Sequence, residues 1–133
     1  MSGYTRNSVY DYVSTAIESA HSGVKCTSRY VPKPAHYPSC YIHEIDNYRP
    51  IQDTQLDFKD KQWESSFEIQ VISNLKGKAA SEVYEILETA KTAFNDLYYR
   101  QISESSIEGT ETFIGIARFR RKIGGGDSMP NQF

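Results

Sequence analysis

At 133 residues with a formal charge of −2, the chain is expected to form one domain with a modest core, burying roughly two thirds of the surface its unfolded state exposes. Basic and acidic residues nearly balance, so the totals carry no general attraction to nucleic acid or to an anionic membrane, and any basic function must be local. No apolar run approaches the roughly 20 residues that cross a bilayer, and MSGYTRNSVYDY at the N-terminus lacks the apolar centre of a secretory signal, so a soluble protein made in a cytoplasm is expected.

Val9, Val13, Ala16, Ile17 and Ala20 draw one apolar stripe at helical spacing. This predicts a helix from about Ser8 to His21, with Ser8 and Asp11 at its start and Gly23 as a left-handed stop. VKCTSRYV (Val24 to Val31) alternates as a half-buried strand does, and the prolines of VPKPAHYP break it. SCYIHEID (Ser39 to Asp46) resumes a strand, and the two are expected to pair as a loose hairpin. Cys26 and Cys40 lack the C-x-x-C spacing of a redox or zinc motif and are expected to be buried, reduced thiols.

From Asn47 to Gln62 the chain is polar and weakly periodic, which predicts a long excursion from the sheet. WESSFEIQVIS (Trp63 to Ser73) alternates again, with Phe67, Ile69 and Val71 on one face. Ala80, Val83, Leu87, Ala90, Phe94 and Leu97 repeat at three and four and predict a second, strongly amphipathic helix. RQISESSIEGTE reads as a polar connector, TFIGIARFRRKI (Thr112 to Ile123) as the last strand, and GGGDSMPNQF as a flexible tail. Residues 1–123 therefore form a single α+β domain followed by a tail at 124–133. The predicted order is α-β-β-β-α-β: a four-stranded mixed sheet with two helices packed on one face. Its strand–helix–strand end would be a right-handed crossover if those strands were parallel.

The glycine run near the end follows a strand, opens no helix and lacks the G-x-x-x-x-G-K-[ST] order, so it is no phosphate loop. His36, Cys40, His43 and Cys26 do not form a zinc quartet, because Cys40 and His43 point to opposite faces of a strand. No serine sits in a G-x-S-x-G turn. Glu44 with Asp46 shares a strand face, while Glu82, Glu85 and Glu88 read as a solvated helix face. No catalytic residue, metal or cofactor is expected.

Arg118, Arg120, Arg121 and Lys122 form the strongest candidate site. Arg118, Arg120 and Lys122 share a strand face with Ile114 and Ile116, so a basic band continues an apolar patch to which Ile72 adds. One reading is charge protection of a sheet end. The functional reading is contact with a carboxylate-rich neighbouring subunit or with the phosphates of passing DNA. Replacing Arg118, Arg120 and Arg121 with alanine is expected to leave the fold largely intact.

The element order, the helix ASEVYEILETAKTAFNDL and the closing FIGIARFRRKIGGGDSMP together resemble the tail terminator, or tail completion, proteins of long-tailed bacteriophages, over about Tyr10 to Pro130. The resemblance implies a structural virion protein without enzymatic activity. It would form a hexameric ring on the last ring of tail tube protein, end tube polymerisation and offer a surface to the head-tail connector protein. Its place would be the head-tail junction of the virion, after assembly in the host cytoplasm, with DNA passing through the ring. Head-completion and head-tail connector (neck) proteins are the alternative within assembly, and a non-viral oligomeric binding module is the alternative outside it.

Overall fold

The computed structural model describes residues 6–30, 36–48 and 62–124. Its elements in chain order are α1 (Arg6–Ala20), β1 (Lys25–Thr27), β2 (Ser39–Tyr48), β3 (Gln62–Ser73), α2 (Ala79–Asp96), β4 (Arg100–Glu108) and β5 (Phe113–Gly124). The fold is α+β with both helices on one face, as expected, but the open mixed sheet has five strands in the order β1-β2-β3-β5-β4. The extra strand is β4, formed by the stretch expected to be a polar connector. The expected excursion at 47–62 and the glycine tail lie mostly outside the described residues.

One expected pairing, the β1–β2 hairpin, is absent, and the sense of the later strands, which the sequence left open, is antiparallel. β1 and β2 run parallel, with Cys26 opposite Cys40, so they are not a hairpin. β3 and β5 are antiparallel, as are β5 and β4. β3 and β4 are therefore parallel to each other with β5 between them, and α2 bridges a crossover that skips one strand position.

The core lies between the helices and one sheet face. Val9, Val13 and Ile17 of α1 and Val83, Ile86, Leu87, Ala90 and Phe94 of α2 are buried, against Ile42, Phe67, Ile69, Val71 and Phe119 from the strands. Each helix has one apolar side, so each buries a stripe and wets the rest. Two hydrogen bonds tie the helices together in antiparallel fashion, Tyr12 Oη to Asp96 Oδ2 at 3.0 Å and His21 Nε2 to Thr89 Oγ1 at 2.7 Å. Gly115 marks the closest approach of α2 to the sheet: a Cβ there would sit 2.5 Å from Val83 Cγ1 and 2.8 Å from Leu87 Cδ1.

The C-terminus of α2 organises the aromatic end of the core. Tyr98 adopts φ +67°, and Tyr99 N–H donates to the Phe94 carbonyl at 2.9 Å while Tyr98 N–H donates to that of Asn95 at 2.9 Å. This is a Schellman turn with tyrosine in the left-handed position usually held by glycine. The reversal directs Tyr99 inward, where Phe94 stacks on Phe119 at 4.4 Å and Tyr99 meets Phe67 edge-on at 5.7 Å. Gly23, at φ +94°, follows α1 as expected.

Candidate functional site: the helix-free sheet face

Strand alternation assigns every second residue of β3 and β5 to the face away from the helices. The register sets Ile72 opposite Ile114, Gln70 opposite Ile116, Glu68 opposite Arg118, Ser66 opposite Arg120 and Glu64 opposite Lys122. On the far side of β5, Ile107 pairs with Ile114, Ser103 with Arg118 and Arg100 with Arg120. One end of this face is thus an isoleucine row across three strands, Ile72, Ile114 and Ile107, with Ile116 beside it. The other end is charged. The expected neighbourhood of Ile72, Ile114 and Ile116 with Arg118, Arg120 and Lys122 is what the register produces.

The charged end is built around Glu68, whose side chain is only 9% exposed. Arg118 Nε donates to its Oε2 at 2.8 Å, Gln70 Nε2 donates to its Oε1 at 3.0 Å, and His43 Nε2 lies 2.9 Å from Oε1. Burial alone would raise the Glu68 carboxyl, but the donors from Gln70, His43 and Arg118 outweigh it and hold the group below the ordinary carboxylate range. Tyr41 stacks on His43 with centroids 4.4 Å apart. Arg120 reaches Ser66 Oγ at 3.5 Å and Glu64 Oε1 at 4.0 Å, and the side chains of Arg118 and Arg120 stay about half exposed, at 52% and 46%. Half-exposed guanidiniums of this kind can meet a partner's carboxylates.

Arg121 belongs to a different structure. Its side chain is buried on the helix side, its Nη1 donates to the Leu97 carbonyl at 3.2 Å, and its guanidinium lies 5.6 Å from the Tyr98 ring centroid. A cation at the negative end of a helix satisfies a terminal carbonyl and opposes the dipole. Arg121 therefore pins β5 to the end of α2 and is removed from the outward basic band. Its sequence neighbours Arg120 and Lys122 remain exposed.

Reading the sequence missed Glu68, His43, Arg100 and Ile107. The polar alternation Glu64, Ser66, Glu68, Gln70 identifies a face but not its partners, and only the pairing of β3 with β5 joins these carboxylates to arginines. Ile107 and Arg100 were missed together with β4.

No enzyme-like constellation is assembled among the described residues. Cys26 and Cys40 are buried free thiols, and burial with the adjacent Cys26 thiol pushes Cys40 upward, away from the thiolate form. Cys40 faces the core while His43 faces outward, so the zinc quartet is split. No group of three or more His, Cys, Asp or Glu among the described residues is placed to hold a metal ion. A register shift between Glu44 and Asp46 breaks the alternation on which their pairing rested. Glu44 instead accepts from Ser65 Oγ at 3.3 Å, and Glu82 accepts from Ser73 Oγ. Two surface hollows lie among the described residues, one over α1 beside Asp11 and Tyr12 and one between the turns at 74–80 and 108–113. No helix among the described residues is long and apolar enough to cross a membrane.

No protein-family model matches the chain, and no curated protein matches it significantly. Among solved structures, one whose name states no activity is 13% identical, covering 83% of this chain and 92% of that one with a TM-score of 0.52. At that identity the likeness is one of fold, and it is what the comparisons establish about this chain.

Proposed function

We propose that the chain is a tail terminator of a long-tailed bacteriophage, a non-enzymatic virion protein that closes into a hexameric ring on the end of the tail tube. The observation that carries the reading is the uncovered sheet face, where an isoleucine row runs directly into a basic band. On that face Ile107 is exposed and Ile72, Ile114 and Ile116 are half-buried, and apolar surface continuous with arginines fits a protein interface. A ring made head-to-tail covers such a face in every copy and leaves no copy with an unused one. The family resemblance supports the same role and supplies the other partners: the tail tube protein below, the head-tail connector protein above, and DNA passing through the lumen without sequence readout.

In this reading the ring works by geometry and needs neither metal nor cofactor. It occupies the tube end, blocks addition of the next tube subunits, and presents its opposite surface to the head. The test is a tube polymerisation assay with the tail tube protein of the same phage. Adding the chain should stop elongation at about one ring per tube, visible by electron microscopy as a cap at one end. Unchanged tube growth, with no chain at tube ends, would overturn the assignment.

A further inference from the structure

We propose that the occupant of the open sheet face is the outward side of α2 from a second copy of this chain. This rests on the ring reading above and specifies its contact. Over β3, β4 and β5 the described side chains of the open face include four cations, Arg100, Arg118, Arg120 and Lys122, against the carboxylates Glu64 and Glu68. The outward side of α2 has the reverse balance, with Glu85 and Glu88 exposed against Lys91, while Asp96 is turned to Tyr12 of α1. It also carries an apolar anchor: Tyr84 is 43% exposed although its ring meets Phe113 edge-on at 5.6 Å. The two surfaces therefore match in both characters, acidic against basic and aromatic against isoleucine.

Their spacings also match. On a helix, Glu88 stands one turn from Tyr84, about 6 Å along the axis. On β5, Arg118 stands two residues from Ile116 and Arg120 two further, about 7 Å per step. A copy of α2 laid along β5 with Tyr84 over Ile114 and Ile116 thus brings Glu88 to Arg118. Arg118 is already oriented by Glu68 through its Nε, and its side chain is half exposed, within reach of a partner's carboxylate. Ordering one end of the guanidinium beforehand lowers the entropic cost of that contact.

Other occupants fit less well. Nucleic acid would meet the arginines but would leave the isoleucine row uncovered and would face Glu64 and Glu68 with phosphates. Two open faces meeting each other would oppose cations to cations. Edge pairing through β1 is hindered because Glu18 Oε2 accepts from the Cys26 backbone N–H at 3.1 Å, occupying a donor of that three-residue strand. Helix layer on sheet layer is instead a heterologous contact, which repeats from copy to copy and closes when the rotation per step permits.

The experiment is charge reversal with rescue on the full chain, read by light scattering and sedimentation across a concentration series. Glu88→Lys alone and Arg118→Glu alone should each weaken association at least about tenfold, whereas the double variant should recover most of it, as a swapped pair does. Circular dichroism and a thermal melt establish that each variant is folded; if Arg118→Glu is not, Arg118→Gln and Glu88→Gln in a double-mutant cycle replace the swap, and additive losses would overturn the contact. Single variants that assemble like the wild type would overturn this contact, while a six-membered mass in the same runs would leave the terminator reading standing. Growth into filaments that the swap breaks and restores would support the contact and overturn the closed ring. A wild-type chain that stays monomeric at every concentration would overturn the contact outright, leaving the tube-capping assay to judge the function separately.

Discussion

Three consecutive basic residues on β5 have different fates because a strand alternates. Arg120 and Lys122 point to water, whereas Arg121 points to the end of α2, donates to Leu97 and lies against Tyr98. Arg121→Ala should therefore lower stability by about 1–3 kcal/mol, the range for leaving a buried carbonyl unpartnered, while Lys122→Ala should stay within about 0.5 kcal/mol. Urea unfolding of the two variants checks this, and equal midpoints would contradict it. The expectation that alanine at Arg118, Arg120 and Arg121 together spares the fold is thus revised at Arg121. Glu68 supplies a pH test. Its folded value is depressed, so its stabilisation is complete above the ordinary carboxylate value of 4.5 and is lost as pH falls through the lowered one. Glu68→Gln should remove that part of the acid dependence and cost about 1–3 kcal/mol near neutrality, because the amide has no charge and one acceptor oxygen where Arg118 and His43 now meet two. Unfolding curves at pH 7 and in the acid range should converge between wild type and variant as pH falls.

Among the elements, α2 carries the most of the fold's specification. Its inward side is complementary to Gly115 on β5, and Gly115→Ala should cost about 1–3 kcal/mol because the added methyl meets Val83 and Leu87 at overlapping distances. A thermal melt reads this as a lowered Tm, and an unchanged Tm would mean the helix can retreat freely. The two helices, the strand carrying Phe67, Ile69 and Val71, and the alternation along β5 were legible in the sequence because burial on one side leaves a period in the residues. β4 was not legible, because it is buried on neither face. From Ile102 to Glu108 every residue is exposed, so no apolar period records the strand, and it exists through its ladder to β5. The parallel sense of β1 and β2 was equally hidden, since alternation states which face a residue takes but not which way its neighbour runs. The same limit concealed Glu68: its donors come from positions 43, 70 and 118, and two of those three lie on other strands.

At the scale of the molecule, the helices cover one side of a five-stranded sheet, and the side they leave open is ordered by its own side chains into an apolar half and a charged half. Glu68 is held there by three donors, and the isoleucines line up across three strands. Completion of this face by further copies is the claim on which the function rests. The most direct measurement is the molar mass of the full chain by light scattering, beside a variant with Ile114→Asp and Ile116→Asp. Neither aspartate enters the helix-side core. The account predicts a closed six-membered species for the wild type and a folded monomer for the variant. A wild type and variant of the same mass would contradict it.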